Sequence, residues 1–354
     1  MANLRLLIIA LLLGICSTNA LATGCNSTPD TIEDRSASLG NITISVPPDM
    51  PVGSEIYRIR VASQGDVGDA GITCSAAESF YWGFDYADTS YPESSGLSPY
   101  GGRMYGTNLP GVSVVYLASK GFPYQYTPGV YSQLLMRDNP LAIEFVLIKT
   151  GDVQPGVVNG TSLPTAVFSG GQSGDMHEFL KYRLSGQVMV TVPTCQIESP
   201  EKTVQMGSHV ISRTFTGIGS TTAWQDASIR LINCPTFFGS RGRPAGLTTY
   251  GIAPVNANIW ALSFQPVFGT LDDAQGIIKL DDSGVDDASG VGIQLATAQD
   301  ESSFINLTSE LSGDFPQDGI ASVTIPIFAR YIQMENQVTP GRADSSIIYN
   351  LEYR

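Results

Sequence analysis

The sequence of 354 residues predicts an all-β fold on three observations. Val, Ile, Thr and Tyr recur in short runs that alternate with polar residues, which is the period-two pattern of strands. Gly and Pro, with 37 and 21 copies, divide these runs with frequent turn signals. No long stretch has the 3.6-residue apolar period of an amphipathic helix. A chain of this length suits two domains, each with its own core.

Residues 1–22 have the composition of a secretory signal peptide. Arg5 supplies the positive charge, residues 6–15 are apolar, and Ala20 and Ala22 frame a small-residue cleavage site. This apolar run is far shorter than the roughly 20 residues that span a bilayer. We therefore expect an exported mature chain that begins at Thr23, with acylation of Cys25 as the alternative fate of this terminus.

Four cysteines follow the signal: Cys25, Cys74, Cys195 and Cys234. An even number in an oxidising compartment predicts two disulfides. Of the three formal pairings, the spacing favours Cys25 with Cys74 and Cys195 with Cys234, because each bridge then stays within one domain. Zinc binding is the competing use, but there is no Cys-x-x-Cys spacing. We expect neither a metal nor a cofactor.

Residues 23–192 are predicted to form an N-terminal β-sandwich or jelly-roll domain. Its candidate strands are residues 42–46, 57–61, 112–118, 142–149 and 186–192. Aromatic residues crowd between residues 78 and 131, and we interpret many of them as lying in loops, because their surroundings are rich in Gly, Pro and Ser. Exposed rings there would suit carbohydrate, since rings stack on the apolar faces of sugars. The alternative is that the rings pin long loops to the sandwich.

A second domain, residues 193–354, is predicted to follow a short connector at Pro193. The chain then ends in an alternating segment whose apolar face carries Ala343, Ile347, Tyr349, Leu351 and Tyr353. A hydrophobic strand at the end of a domain must find neighbours on both sides or remain an adhesive edge.

This ending resembles the C-terminal strand of pilin subunits of the chaperone-usher pathway. That strand has a glycine fourteen residues from the end and a penultimate tyrosine, and Gly341 and Tyr353 occupy these two places. The resemblance extends over the second domain. Cys195 opens it, residues 228–234 look like the strand that carries the second cysteine, residues 288–295 look like the mid-domain strand, and residues 325–331 are similar to the penultimate strand. The resemblance implies an incomplete immunoglobulin-like pilin domain that lacks its seventh strand.

The resemblance also implies partners for the last strand. In the family, a periplasmic pilus chaperone first fills the open groove, and the donor strand of the next pilus subunit replaces it at the outer-membrane usher. Basic residues of the chaperone hold the terminal carboxylate, which Arg354 carries here. The implied interface residues are Gly341, Ile347, Tyr349, Leu351, Tyr353 and Arg354.

The layout resembles that of two-domain fimbrial tip adhesins, such as the mannose-binding adhesin of type 1 fimbriae. A polymerising pilin has a donor arm of about 10 to 20 residues before its first cysteine, whereas Thr23 and Gly24 alone precede Cys25 in the expected mature chain. We expect a protein at the fimbrial tip on the bacterial surface that binds a host or environmental glycan. The alternative is a structural tip or adaptor subunit whose N-terminal domain binds protein or caps growth.

By position, the resemblance implies a sugar pocket between the mature N-terminus, the segment after the second cysteine, and a polar loop before the linker. The candidate ligand-binding residues are Trp82, Asp85, Tyr86, Asp88, Gln172 and Asp175. Thr23 stands where the mannose adhesin has phenylalanine, so mannose specificity does not carry over.

The charge balance argues against one class of partner. The sequence has 33 acidic and 19 basic residues, a net charge of −14, so we expect no nucleic-acid partner. The paired aspartates between residues 272 and 287 lack the ligand spacing of an EF-hand. The loop at residues 171–175 lacks the rest of a serine-protease pattern, and we expect no enzymatic activity.

Overall fold

The computed structural model describes residues 24–62, 69–96, 98–138, 142–242 and 250–354. The predicted signal peptide and Thr23 lie outside these residues. The described chain is almost entirely strands and turns, which confirms the all-β class. Its helices are a 3-10 turn at Gly160–Ser162 and a short α1 at Ile211–Thr214. Among the described residues, no helix is long and apolar enough to cross a membrane.

The N-terminal half forms three sheets. Its strands are β1 Cys25–Thr28, β2 Glu33–Ser38, β3 Ile42–Ser45, β4 Glu55–Ala62, β5 Gly71–Ala87, β6 Tyr105–Gly106, β7 Val112–Ala118, β8 Lys120–Gly121, β9 Tyr124–Leu135, β10 Ala142–Lys149, β11 Gly156–Asn159, β12 Thr165–Gln172, β13 Asp175–Ser185 and β14 Gln187–Thr191. The first sheet has the order β1-β5-β12-β13-β2, with β9 also paired to β5. The second contains β4-β10-β7-β6 with β8 on β7, and the third is β11-β14-β3.

The aromatic stretch that we interpreted mostly as loops contains two long strands, β5 and β9, and this interpretation is wrong. Phe80, Trp82 and Phe84 alternate onto one face of β5, and each is at most 1% exposed. Their rings pack against Phe122, Phe168 and Phe179. Burial of aromatic rings is among the largest stabilising contributions in a core. The period-two spacing of these rings in β5 is the signal that the loop interpretation overlooked.

The C-terminal half also forms three sheets, around a second core. Its strands are β15 Gln196–Ile197, β16 Gln225–Asp226, β17 Ile229–Ile232, β18 Gly251–Ile252, β19 Ile259–Pro266, β20 Thr270–Asp272, β21 Ile277–Ile278, β22 Val291–Ala296, β23 Leu311–Asp314, β24 Ser322–Ile325, β25 Phe328–Gln333 and β26 Ile347–Tyr353. Three of the sheet orders are β15-β17-β24, β16-β25-β22-β21-β20 and β23-β19-β26. Leu231, Leu262 and Ile325 are fully buried in this core. The absence of a seventh strand stays a prediction.

Two predicted strands of the C-terminal half differ from the structure. Residues 325–331 do not form one strand, because Pro326 has no N–H for a ladder and separates β24 from β25. The last strand begins at Ile347 rather than at Gly341. A Cβ atom at Gly341 would lie 2.4 Å from the backbone nitrogen of Ala288, so only glycine permits this close approach of two chain segments.

Both predicted disulfides are present. Cys25 and Cys74 face each other across the β1–β5 pair and are bonded. Cys195 and Cys234 are bonded at the end of the β15–β17 pair. Each bridge therefore joins two neighbouring strands of one sheet.

The two cores are joined by a segment of the C-terminal half that enters a sheet of the N-terminal half. We call this segment, residues 237–242 and 250–258, the arm. Its strand β18 pairs antiparallel with β4, with Ile252 opposite Ile59, and Ile252 packs on the N-terminal core. Arg241 N–H also donates to the Ile56 carbonyl at 2.9 Å. The predicted domain boundary between residues 192 and 193 stays a prediction. The arm belongs to the predicted second domain, but it pairs with a strand of the first.

A buried polar cluster fixes the base of the arm. Asn258 is 1% exposed; its Oδ1 accepts from Gly239 N–H at 3.0 Å and its Nδ2 donates to the Ser45 carbonyl at 3.3 Å. Ser45 Oγ accepts from Phe238 N–H at 2.9 Å, and Ser45 N–H donates to the Gly239 carbonyl at 2.9 Å. The Gly239–Asn258 bond lies within the arm, and the other three bonds join the arm to Ser45, so separating the two halves would break these three.

Candidate functional site

An apolar groove runs beside the last strand. Among the described residues β26 pairs with β19 alone, from Trp260 opposite Tyr353 to Pro266 opposite Ile347, so its second edge is open. The groove is a cavity of about 670 Å³. Its apolar lining includes Ile197, Ile229, Phe264, Leu295, Ile327, Ile347 and Tyr349. At the end of this edge, Asp49 bonds the backbone of Tyr353, so the open part runs from Ile347 to Leu351. An open strand edge beside buried-type side chains is the geometry that accepts another strand.

The opposite wall of the groove is residues 197–204. The Tyr349 hydroxyl donates across to the Pro200 carbonyl at 3.4 Å. At the rim, Lys202 Nζ donates to the Ser228 carbonyl at 2.9 Å, and Arg230 pairs with Glu198 at 3.2 Å. Residues 198–210 form no strand with β26, so the backbone edge of β26 faces the groove without a ladder.

The side chains of the last strand alternate as predicted. Ile347, Tyr349 and Leu351 are half-buried against the second core, and Tyr353 is 8% exposed. Ile348, on the other face, is 59% exposed. The Tyr353 hydroxyl donates to the Cys195 carbonyl at 3.2 Å, which connects the end of the strand to the disulfide.

Arg354 is held at the end of this strand. Its backbone exchanges two hydrogen bonds with Ile259, at 2.7 and 2.8 Å. Its guanidinium binds the carboxylate of Glu310 at 2.7 and 2.8 Å, and it also pairs with Glu352. The chain end is therefore positioned by paired charges and a backbone ladder.

The other candidate site lies in the N-terminal half, where three segments meet. Asp175 Oδ2 accepts from Cys25 N–H at 2.5 Å, which joins the β12–β13 turn to the start of β1. Gln172 Nε2 donates to the Ala76 carbonyl at 2.6 Å, which joins the same turn to the segment after Cys74. We call this place the polar junction. Its residues are Gly24, Cys25, Ser75, Ala76, Gln172, Asp175 and His177.

Strand irregularities create the polar junction. In the β5–β9 pair, Thr73 lies opposite Gln133 and Glu78 lies opposite Tyr131, so four residues of β5, 74–77, face a single residue of β9 and form a bulge on that side. On the other side, Gln172 faces Asp175 across a two-residue hairpin turn. The bulge exposes polar backbone, and the hairpin brings side-chain amide and carboxylate groups to it.

Hydrogen bonding sets the charge at this place. The amide of Cys25, followed by the His177 ring at 2.7 Å, lowers the pKa of Asp175 below its usual value. Hydrogen bonds to the ionised form favour that form, so Asp175 carries a negative charge. Ser75 adds two bonds with Gly24: Ser75 N–H donates to the Gly24 carbonyl at 3.0 Å, and Gly24 N–H donates to Ser75 Oγ at 3.2 Å.

The remaining predicted ligand-binding residues lie elsewhere. Trp82 is 1% exposed and packs against Phe179 at 4.9 Å, so its prediction as an exposed ring is wrong. The Tyr86 hydroxyl donates to the Arg103 carbonyl and accepts from Tyr116 N–H, each at 3.0 Å, and burial raises its pKa.

Two aspartates complete the predicted set, and both are exposed away from the polar junction. Asp85 accepts from the backbone N–H of its neighbour Tyr86 at 2.8 Å. Asp88 follows β5, where its Oδ2 accepts from Thr165 Oγ1 at 2.9 Å. Thr165 pairs with Ala87 while Gln172 pairs with Phe80, so Asp88 is at the opposite end of β12 from the junction.

His177 of the polar junction and Tyr131 beside it are not among the predicted ligand-binding residues. His177 binds Asp175, and the Tyr131 carbonyl lies 3.5 Å from Gln172 Nε2. The period-two alternation that places Asp175 and His177 on one face of β13 was a usable signal for the first. In the described ranges, no group of three or more His, Cys, Asp and Glu residues is arranged to hold a metal ion.

One known protein family matches the C-terminal half of the chain. The family described as "Fimbrial protein" matches residues 182–354. No curated protein matches the sequence.

Distant similarities to solved structures extend further along the chain. The chain is similar to the CupB6 tip adhesin from Pseudomonas aeruginosa, at 13% identity, 93% of this chain, 94% of that chain and a TM-score of 0.36. It is similar to the receptor-binding domain of the adhesin MrkD1P of Klebsiella pneumoniae, at 17% identity, 49% of this chain, 99% of that chain and a TM-score of 0.35. Function is not inferred from similarities this distant. The family match, by contrast, confirms the resemblance noted in the last strand: residues 182–354 match the model of the family described as "Fimbrial protein".

Proposed function

We propose that this chain is a chaperone-usher fimbrial tip adhesin. The N-terminal half, residues 23–192, binds a receptor, and that receptor is a glycan. The C-terminal half joins the fibre by accepting the donor strand of the next subunit. The observation that carries this proposal is the open edge of β26 beside an apolar groove, in a segment that matches the fimbrial protein family.

The groove suits a strand better than a compact ligand. Ile347, Tyr349 and Leu351 direct their N–H and C=O groups to the open edge of β26, where an added strand would pair with them. Alternate side chains of that strand would point into the groove against Phe264, Leu295 and Ile327. The same edge would bind the periplasmic chaperone before assembly at the outer-membrane usher.

Peptide binding tests the attachment. The probes are synthetic peptides with the N-terminal extensions of the fimbrial subunits encoded with this protein, added to the full chain purified with its chaperone. We expect one of them to displace the chaperone and raise the Tm. The variant Tyr349→Ser, which alters the groove side of β26, should weaken this exchange. Asn350→Ser changes the exposed face of the same strand and is the matched control.

Two results would overturn the strand-acceptance proposal. One is the failure of every peptide to displace the chaperone from the unmodified chain. The other is equal displacement of the chaperone by peptide in the Tyr349→Ser and Asn350→Ser variants. Peptide binding would then not depend on the side chains that face the groove from β26.

A glycan array tests receptor binding. The full chain in complex with its chaperone is the appropriate reagent, because the arm of the C-terminal half fills a sheet edge of the N-terminal half. We expect binding to a defined set of glycans that Gln172→Ala weakens. Gln187→Ala removes an exposed amide from β14, away from the junction, and serves as the control. A blank array, together with altered fimbrial length on deletion, would favour the structural tip or adaptor subunit instead.

A further inference from the structure

We infer that the receptor site extends from the polar junction onto one face of β9, and that it takes an uncharged glycan. This inference rests on the proposed adhesin function and adds a location and a ligand class to it. The residues that carry it are Tyr126 and Tyr131, which we call the tyrosine face.

Strand register places both tyrosines on the same face of the β5–β9 pair. Tyr126 lies opposite Trp82, Gly129 opposite Phe80 and Tyr131 opposite Glu78. Tyr126 and Tyr131 are an odd number of positions apart, which would place them on opposite faces of a regular strand. β9 has one extra residue between Tyr126 and Gly129, and this bulge brings both tyrosines to the same face. Side chains of directly opposed residues share a face, so the two rings do as well. This is the face that carries Phe80, Trp82 and Phe84, and the exposure of the two tyrosines places them at the margin of the core.

Packing holds the two rings while leaving them accessible. Tyr126 is 38% exposed and stacks on buried Phe84, with ring centroids 6.0 Å apart and planes 10° apart. Tyr131 is 40% exposed and lies against Gly129, where an added Cβ would be 2.9 Å from Tyr131 Cε2. Rings that are already ordered lose little conformational entropy when a ligand binds. Aromatic rings of this kind stack on the apolar faces of sugar rings.

Polar groups border the tyrosine face. The Gln172 amide lies 3.5 Å from the Tyr131 carbonyl and connects this face with the polar junction. Gln133 is exposed two residues after Tyr131 on the same face, and its Nε2 donates to Thr73 Oγ1 at 2.9 Å. Amide and hydroxyl groups beside apolar rings are the combination that binds sugar hydroxyls and fixes their orientation.

The charges near Tyr131 select against acidic sugars. Glu78 is exposed directly opposite Tyr131, and Asp175 is held ionised at the adjoining junction. The basic side chains nearby have partners: His177 binds Asp175, and Lys181 pairs with Glu178 at 2.9 Å. A sialic acid, uronic acid or sulfated sugar would therefore meet repulsion at this end of β9.

The experiment compares neutral oligosaccharides with their sialylated forms, on the full chain in complex with its chaperone. We expect the neutral form to bind and the sialylated form to bind at least about tenfold more weakly. Tyr126→Ala and Tyr131→Ala should each weaken binding about tenfold. Val130→Ala, which lies between them on the opposite face and is 64% exposed, should leave binding unchanged.

The outcomes separate this inference from the proposed function. Unchanged glycan binding by both tyrosine variants, together with weaker binding by Gln172→Ala, would overturn the inference and leave the adhesin proposal intact. A preference for sialylated glycans would overturn the ligand class. A blank array for the unmodified chain would overturn both proposals. If Tyr131→Ala fails to fold, Tyr131→Phe should retain binding and Tyr131→Leu should lose it.

Discussion

Asp49 and Tyr353 exchange two hydrogen bonds across the boundary between the two cores. Asp49 N–H donates to the Tyr353 carbonyl at 3.1 Å, and Tyr353 N–H donates to Asp49 Oδ2 at 2.9 Å. Tyr353 is the last residue of β26, the strand that borders the groove. The strand that we propose to accept a donor is therefore bonded directly to the half that we propose to bind the receptor.

Removing the Asp49 side chain should loosen this contact. In Asp49→Ala, the Tyr353 N–H loses its acceptor, so its hydrogen exchange should accelerate, with a stability loss of about 0.5–1.5 kcal/mol. Asp49→Asn keeps an acceptor oxygen and should retain most of the protection. Exchange measured by mass spectrometry on the full chain reports both. Equal protection of Tyr353 in the unmodified chain and in Asp49→Ala would contradict this prediction.

Asn258 should matter more for stability, because it is buried. Asn258→Ala leaves the Gly239 N–H and the Ser45 carbonyl without their side-chain partner. An unsatisfied buried group costs about 1–3 kcal/mol, so the free energy of unfolding measured in urea should fall by about this amount. Asn350→Ala, at an exposed position of β26, is the control and should change stability little.

Asp175 should make the tethering of β1 dependent on pH. Its pKa is lowered in the folded state, so the stabilisation is present above the ordinary carboxyl value of about 3.9. It is lost as the pH falls through the lower folded value. The stability difference between the unmodified chain and Asp175→Ala should therefore be present at pH 7 and shrink below about pH 4. A difference that stays constant over this range would show that the charge of Asp175 contributes nothing.

The Cys25–Cys74 bridge should stabilise the N-terminal half substantially. The two cysteines are 49 residues apart, and the loop-entropy relation gives about 4 kcal/mol for a loop of this size. The double variant Cys25→Ser/Cys74→Ser should unfold at a lower urea concentration, and reducing agent should then have no further effect on that transition. An unchanged midpoint would show that the β1–β5 ladder holds without the bridge.

Trp82 should report on folding rather than on ligand binding. Its ring is buried among Phe80 and Phe179, so Trp82→Ala should lower the free energy of unfolding by about 3–5 kcal/mol. Tryptophan fluorescence and circular dichroism would register the loss. A Trp82→Ala variant with the same free energy of unfolding as the unmodified chain would contradict the burial of this ring.

The predictions from sequence were most reliable where the signal is local. Period-two alternation correctly indicated β7 and β10 at Val112–Ala118 and Ala142–Lys149. It was less reliable where residue composition obscured it. The Gly, Pro and Ser around β5 and β9 suggested loops, although Phe80, Trp82 and Phe84 alternate as strand residues do.

The two candidate sites also differ in how much of them the sequence predicts. The common face of Ile347, Tyr349 and Tyr353 could be predicted from the sequence, because one strand carries them all with a single period. In the N-terminal half, Gln172 and Asp175 meet the start of the described chain, whereas Trp82 is in the core. Position along the chain cannot distinguish these cases, since the facing direction of a strand residue depends on its sheet.

The sequence by itself determined the all-β class, the two disulfides and the apolar face of the last strand, because each depends on short-range pattern or on cysteine count and spacing. The tertiary structure alone decided that the arm enters the N-terminal sheet beside β4, that Asp175 holds Cys25 from 150 residues away, and that Asp49 meets Tyr353. Such pairings between distant segments depend on which strand edges remain free once the cores have formed. For the same reason β26, a plain alternating strand in the sequence, becomes an open edge beside a groove only in the folded chain.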